Sequence, residues 1–195
     1  MTCLVPLTRV DTFDSSSILA DGWNLVTEID SERKGANATR QILFKKAFDS
    51  GVEFIRLADD DDVILPHREI ALNELSNPNI DVVYFDFLYD HEGEVHKGNF
   101  SGNLLCDAYS SPAPWTFVIK TKALNGRCPF DPKIPAMEGG YAFLEMLKMG
   151  LRFKHVKVPA YHWNMRSTDG VHLHSSSNDL LTNLRSNLMD WIKSK

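Results

Sequence analysis

The sequence predicts an α/β fold, one domain built on a mostly parallel central sheet with helices on its faces. Short apolar runs suited to buried strands alternate with segments at helical spacing through residues 1–90. At 195 residues, with 43% hydrophobic and 24% charged side chains, the chain suits a soluble globular domain with a substantial core. No internal repeat, low-complexity tract or linker divides it, so residues 1–195 read as a single unit.

Thr2 to Leu7 is a short apolar run closed by Pro6 and reads as the first buried strand. Asp11 to Ala20 reads as a short helix, capped by Asp11 or Thr12, with Gly22 just past its end. Trp23 to Ile29 is the second strand, ending at Asp30, and a polar loop from Ser31 to Asn37 follows. The spacing of Ile42, Leu43, Lys46 and Ala47 predicts a helix from about Ala38 to Asp49, stopped by Ser50-Gly51. Val52 to Leu57 is the third strand. Pro66 opens a helix through Leu75, as proline in a first turn permits, and Asp81 to Leu88 is the next strand.

The second half is less regular. Tyr89 to Gly102 carries a hairpin, and Ser110 to Trp115 is a proline-kinked loop before a strand from Thr116 to Ile119. Met137 to Met149 forms an amphipathic helix with Gly150 as its stop. Phe153 to Val158 is a strand. Asp179 to Ile192 is a helix whose leucines and Trp191 share one face.

The third strand delivers four consecutive aspartates, Asp59 to Asp62, and a second apolar run, Val63 to Pro66, follows at once. Like charges fastened to the end of a buried strand repel unless something positive relieves them. A divalent cation with oxygen ligands would do so, and Mg²⁺ or Mn²⁺ commonly bridges carboxylates and substrate phosphates. A solvated acidic turn is the plainer alternative. Ligands of open parallel sheets bind beyond the carboxyl ends of the strands. Pro6 to Thr8, Asp30 and Asp59 to Asp62 all stand at such ends, so three segments converge on one crevice.

Three blocks resemble the family-2 glycosyltransferases of the GT-A fold, within the nucleotide-diphospho-sugar transferase superfamily. Lys34-Gly35-Ala36-Asn37-Ala38-Thr39-Arg40 is similar to the family's Gly-x-x-x-Ala-Arg segment at a helix start. Phe54 to Pro66 resembles its strand with the Asp-x-Asp-Asp signature. Phe130-Asp131-Pro132 through Glu138-Gly139-Gly140-Tyr141 resembles its Glu-Asp segment and the helix after it. The match in order and spacing runs from Cys3 to about Arg166. The chain departs twice: Gly139 stands where the family has Asp, and Tyr161-His162-Trp163-Asn164 ends in Asn where the family places His.

The resemblance implies an inverting, metal-dependent glycosyltransferase that moves a sugar from a nucleoside-diphosphate sugar to a hydroxyl acceptor. Residues 1–90 would form the nucleotide-sugar half, and residues 91–195 the acceptor half with a closing C-terminal segment. Asp61 and Asp59 alternate so that one meets Mn²⁺ or Mg²⁺ and the other the ribose or the metal's water. Asp60 then points away from that pair, and Asp62 reaches the sugar or a neighbouring loop. Pro6, Thr8, Asp30, Lys34, Arg40, Asp59, Asp60 and Asp62 make up the expected nucleotide-sugar contacts. Arg40 and Lys34 serve the phosphates, pair the aspartates or are solvated. Asp30 suits the nucleobase or ribose, or only a turn. Glu138 is the expected general base, against a helix-start Glu favoured by the macrodipole; Asp131 is the reserve. His162, His172 and His174 are candidate metal ligands in the closing segment. Trp115 is a candidate acceptor platform or a core side chain.

Other classes are less well matched. A catalytically silent nucleotide-sugar-binding domain would explain Gly139. A nucleotidyltransferase would need a triphosphate loop after the first strand, and Pro6-Leu7-Thr8-Arg9-Val10-Asp11 carries none. The net charge of −5 gives no general attraction to nucleic acid or anionic lipid. The acceptor is left open among glycans, lipid-linked sugars, proteins and modified DNA bases. No stretch approaches a membrane span, Met1 to Pro6 lacks a basic signal-peptide start, and three cysteines suit reduced thiols in a cytoplasmic protein.

Overall fold

The computed structural model describes residues 1–8, 10–32, 34–91, 93–104, 107, 116–134, 138–163, 182, 183, 186, 187, 189–191 and 193, without the side chains of His91 and Glu138. Among them, eight strands join in one sheet of order β2-β1-β3-β7-β5-β8-β4, with β6 paired to β5. β1 (Thr2–Leu7) is buried at every residue, as a strand covered on both faces must be, and this is why it reads as an unbroken apolar run. β2 (Asn24–Ile29) lies parallel along one side of β1, from Thr2 opposite Asn24 to Leu7 opposite Ile29. β3 (Phe54–Leu57) lies parallel along the other side. The carboxyl ends of β1 and β3 are therefore adjacent, and the Ala58 amide donates to Leu4 O at 3.2 Å.

Beyond β3 the sheet becomes mixed. β7 (Val118–Lys120) inserts antiparallel between β3 and β5 (Val82–His91). β5 then pairs parallel with β8 (Phe153–Trp163), with register breaks around Asp86 that bend the pair. Pairings β1–β2, β1–β3 and β5–β8 carry most of the paired residues, so the mostly parallel, helix-flanked α/β expectation holds. The hairpin partner of β5 is β6 (Glu94–Gly98), where Gly98 faces Phe87 across the ladder. Any side chain at Gly98 would collide with the Phe87 ring.

One strand has no counterpart in the sequence reading. Val63–Ile64 forms β4, antiparallel to the far end of β8, with Val63 opposite His162 and Ile64 opposite Tyr161. The Leu65 amide extends the pairing to Ala160 O at 3.2 Å. The aspartates are thus held at both ends, by β3 before them and by β4 after them. β8 is correspondingly longer than the expected Phe153 to Val158.

α2 (Ala36–Asp49) begins two residues earlier than expected and buries Asn37, Thr39, Arg40, Leu43, Phe44 and Ala47, one helical stripe. Gly35, at φ 91°, turns the loop into it from the left-handed region that glycine adopts without a steric penalty. α1 (Ser16–Ala20) is shorter than the expected helix from Asp11. The reason is local: the Asp14 carboxylate accepts from Ser16 N at 2.8 Å and Ser16 Oγ at 2.9 Å, closing a side-chain turn that competes with helix. α3 (Arg68–Leu75) starts after His67 rather than at Pro66. α4 (Glu138–Lys148) buries Ala142, Phe143, Leu144, Met146 and Leu147. Its Phe143 ring packs at 4.8–5.6 Å from those of Phe153, Phe117 and Tyr84, joining α4 to the β5–β8 half of the sheet. Within the expected Asp179 to Ile192 helix, the described residues Thr182, Asn183, Ser186, Asn187, Met189, Asp190 and Trp191 are helical, and the other half lies outside the described residues. No helix among the described residues is long and apolar enough to cross a membrane.

Candidate active site at the carboxyl ends of β1 and β3

The four aspartates follow β3, and three of them bond to three different elements. Asp59 meets α2: Arg40 Nη2 donates to its Oδ1 at 2.9 Å. The Arg40 side chain is 1% exposed and that of Asp59 28%, so water reaches the acid but not the base. Arg40 Nη1 also donates to Asn37 Oδ1 at 2.8 Å, and the guanidinium lies 5.2 Å from the centroid of the Phe130 ring. Asn37 Nδ2 in turn donates to the carbonyls of Asp131 at 3.1 Å and Ile134 at 2.8 Å. Gln41 Nε2 donates to Phe130 O at 3.0 Å. The first turns of α2 thereby hold both the aspartate run and the Phe130–Ile134 loop that leads toward α4.

Asp60, 7% exposed, turns back onto the end of β1 and accepts from both the amide and the hydroxyl of Thr8, the latter at 3.0 Å. Asp62 accepts from the phenol of Tyr161 on β8. Burial, and then the negative charges of Asp62 and Asp59, push the Tyr161 phenol well above its usual pKa. It therefore stays a hydrogen-bond donor at any working pH. Asp61 is half-buried between these tied neighbours, and its charge adds to the upward pressure on Tyr161.

Below the run lies a buried cationic layer. Arg56 on β3 is 0% exposed, with Nη1 on the His67 ring and Nη2 donating to Ala160 O at 3.3 Å. Its guanidinium is 5.9 Å from the Trp23 ring centroid, and the His67 ring stacks on Trp23 at 5.5 Å. Burial lowers the Arg56 pKa to about 10. Burial, together with the Arg56 charge, lowers that of His67 to about 2. The Asp21 carboxylate closes the layer, with Oδ2 accepting from Trp23 Nε1 at 2.9 Å and from the amides of His67 and Arg68 at 3.1 Å each.

The other sequence candidates take these positions. Asp30 accepts the Lys34 and Gly35 amides, one on each oxygen, both at 2.8 Å, and so shapes the loop into α2. Lys34 pairs with Glu32 at 2.6 Å on the open surface, and that bond raises its pKa. Pro6 is buried inside β1, one residue short of the strand's end. His162 Nε2 lies 3.3 Å from Asp90 Oδ1. Asp59, Asp61 and His162 do not gather into a three-ligand cluster, and the described residues contain none. Glu138 opens α4, its side chain outside the described set, while Trp115, His172 and His174 lie wholly outside it. Cys3 and Cys128 are free, with thiols pushed up to about 12 by burial. Two residues at the site escaped the sequence reading. Tyr161 is 99 positions from Asp62, and Asn37 is 94 from Asp131, so nothing local marks either contact.

No protein-family model matches the chain, and no curated protein sequence matches it. Solved structures do. TarS 1–349 of S. aureus in complex with UDP-GlcNAc superposes with TM-score 0.66 at 14% identity, over 96% of this chain and 64% of that one. Glucosyl-3-phosphoglycerate synthase from Mycobacterium tuberculosis, in complex with Mn²⁺, UDP-glucose and phosphoglyceric acid, superposes with TM-score 0.54 at 15% identity, over 96% of this chain and 78% of that one. A197 from STIV gives TM-score 0.54 at 16% identity, over 80% and 82% of the two chains. The chain spans less than two thirds of the TarS chains it matches, 37% in one structure and 64% in the 1–349 form. At these identities the likeness is one of fold. The chain has the GT-A fold.

Proposed function

We propose that this protein is a glycosyltransferase that moves a sugar from a nucleoside-diphosphate sugar to a hydroxyl acceptor with inversion. The observation that carries the reading is Asp59 to Asp62 at the end of β3, tied to α2, β1 and β8 at once. An incidental acidic turn would be solvated; this one is built into the fold at the crevice where α/β sheets bind ligands. Neighbours solved with UDP-GlcNAc and with UDP-glucose support the donor class.

The residues divide the work. Residues 1–90 form the donor half: Thr8 and the Asp30 loop border the nucleotide, Pro6 supports them from inside β1, and Lys34 stands at the rim. Asp60 fixes the β1 end against the run, and Arg40 fixes Asp59. Asp62 faces the sugar, set by Tyr161. Residues 91–195 supply the acceptor side, with Glu138 at the start of α4. In the transfer step an acceptor oxygen bonds to the anomeric carbon as the bond to the diphosphate breaks. The acceptor proton passes to the Glu138 carboxylate.

A divalent cation fits the donors present. Hard carboxylate oxygens suit Mg²⁺ or Mn²⁺, and Mg²⁺ in phosphate-binding enzymes takes one or two protein carboxylates, with substrate oxygens and water completing its shell. Asp61 would hold it with Asp59 alongside, and it would supply neutralisation of the leaving diphosphate.

A second reading, a nucleotide-sugar-binding module without transfer, draws on Gly139, a buried position with no side chain beside Glu138. Donor binding and single-turnover transfer, measured together, separate the two. Under the transferase reading Glu138→Gln binds donor like wild type and transfers about 10²–10⁴-fold more slowly. Tight donor binding with neither transfer nor donor hydrolysis in the wild type would establish the module. A Gln variant within about threefold of the wild-type rate would take the base role from Glu138.

A further inference from the structure

We infer a second ligand site at the opposite end of the sheet, a cleft of about 840 Å³ that takes a small organic anion with an apolar body. It opens at the amino end of β3, roughly 10 Å of strand away from the carboxyl end that carries the aspartates. Phe48 of α2, Phe54 of β3, and Leu72 and Leu75 of α3 line its apolar part. Its size is that of small-molecule pockets generally, and its lining mixes these apolar side chains with Glu53, Ser76, Lys120, Thr121, Lys122 and Asn125.

Two of those polar groups are poorly served by the protein. Thr121 is 7% exposed and its hydroxyl has no hydrogen-bond partner. A buried hydroxyl left unpaired is destabilising. Lys120, also 7% exposed, donates from Nζ to Asn77 O at 2.8 Å, which occupies one of the three hydrogens of its ammonium. Burial draws its pKa below the ordinary lysine value. Lys122 and Glu53 also line the cleft, leaving one net positive charge on the wall. That balance suits a monoanion. A carboxylate would accept from Lys120 while its hydrocarbon or aryl body covers Phe48, Phe54 and Leu72.

The test uses octanoate and octanol, which share a body and differ in the head group, titrated onto the intact protein without donor or metal. Amide shifts in a ¹H–¹⁵N spectrum should saturate with octanoate and centre on Val52, Thr121 and Lys122. Octanoate should bind at least fivefold more tightly than octanol, on the order of 1 kcal/mol. Lys120→Met should weaken octanoate about tenfold while leaving octanol within about twofold. Equal binding of acid and alcohol by the wild type, shifts that never saturate, or shifts centred on Asp59 to Asp62 would each overturn the inference, whether or not the Met variant folds. The readout involves no sugar transfer, so it stands or falls apart from the proposed activity.

Discussion

Replacing Arg40 with methionine should strip the aspartate run of its principal restraint from α2. The guanidinium makes charge-assisted bonds to Asp59 at 2.9 Å and to Asn37 at 2.8 Å. Each such bond is worth about 1.5–3 kcal/mol. Breaking a buried ion pair by removing one partner costs about 3–5 kcal/mol, because the remaining charge is stranded. Here the stranded group would be Asp59, 28% exposed, and water can partly solvate it. The expected loss is therefore near the lower bound, about 3 kcal/mol. Methionine keeps most of the apolar volume against Phe130, so cavity effects are small. In urea, with a slope of about 2 kcal/mol per molar, the midpoint should fall by about 1.5 M with the slope unchanged. Asp59→Asn takes the counter-charge from the 1% exposed guanidinium and should cost at least as much, and a double-mutant cycle should return a coupling of about 1–3 kcal/mol. A loss below about 1 kcal/mol for Arg40→Met at unchanged slope would refute the claim that this pair anchors the run.

Tyr161→Phe removes only the hydroxyl that donates to Asp62 and should cost about 1.5–3 kcal/mol, with transfer falling while nucleotide affinity changes little; unchanged stability by urea titration would show that Asp62 does not depend on β8. His67 should make stability pH-dependent: its folded pKa of about 2 lies below the ordinary 6.5, so the unfolded chain takes up a proton first as pH falls. The stability it contributes is full above pH 6.5 and is lost progressively toward pH 2, by about 2 kcal/mol at about pH 5. Unfolding curves of His67→Gln should lack that part of the slope, and parallel wild-type and variant profiles would count against a neutral buried His67.

Residues 1–90 were the more legible part of this sequence because their elements are set locally. β1 is buried on both faces and so spells an apolar run, and the Asp run interrupts apolar sequence abruptly enough to mark a strand end. Strand direction is not spelled locally: β7 pairs antiparallel with β3 and β5, and Thr116 to Ile119 would read alike either way. β4 escaped because two residues carry no periodicity; only its pairing with Tyr161 and His162 makes it a strand. The contacts that hold the site, Arg40 with Asp59 and Tyr161 with Asp62, join α2 and β8 to one loop. Spacing along the chain cannot reveal them. α1 was overextended because the caps considered, Asp11 and Thr12, competed with Asp14, whose carboxylate closes on Ser16.

The central claim is that these carboxylates serve sugar transfer from a nucleotide donor. It is tested most directly by nucleoside-diphosphate release from a panel of nucleotide sugars with Mn²⁺, comparing the wild type with Asp61→Asn. The account predicts release from at least one donor by the wild type. It also predicts loss of at least about 100-fold in the variant, which should still fold because Asp59, Asp60 and Asp62 keep their ties to Arg40, Thr8 and Tyr161. A folded wild type that neither binds nor turns over any donor, or an Asp61→Asn protein that works as well as wild type, would contradict it.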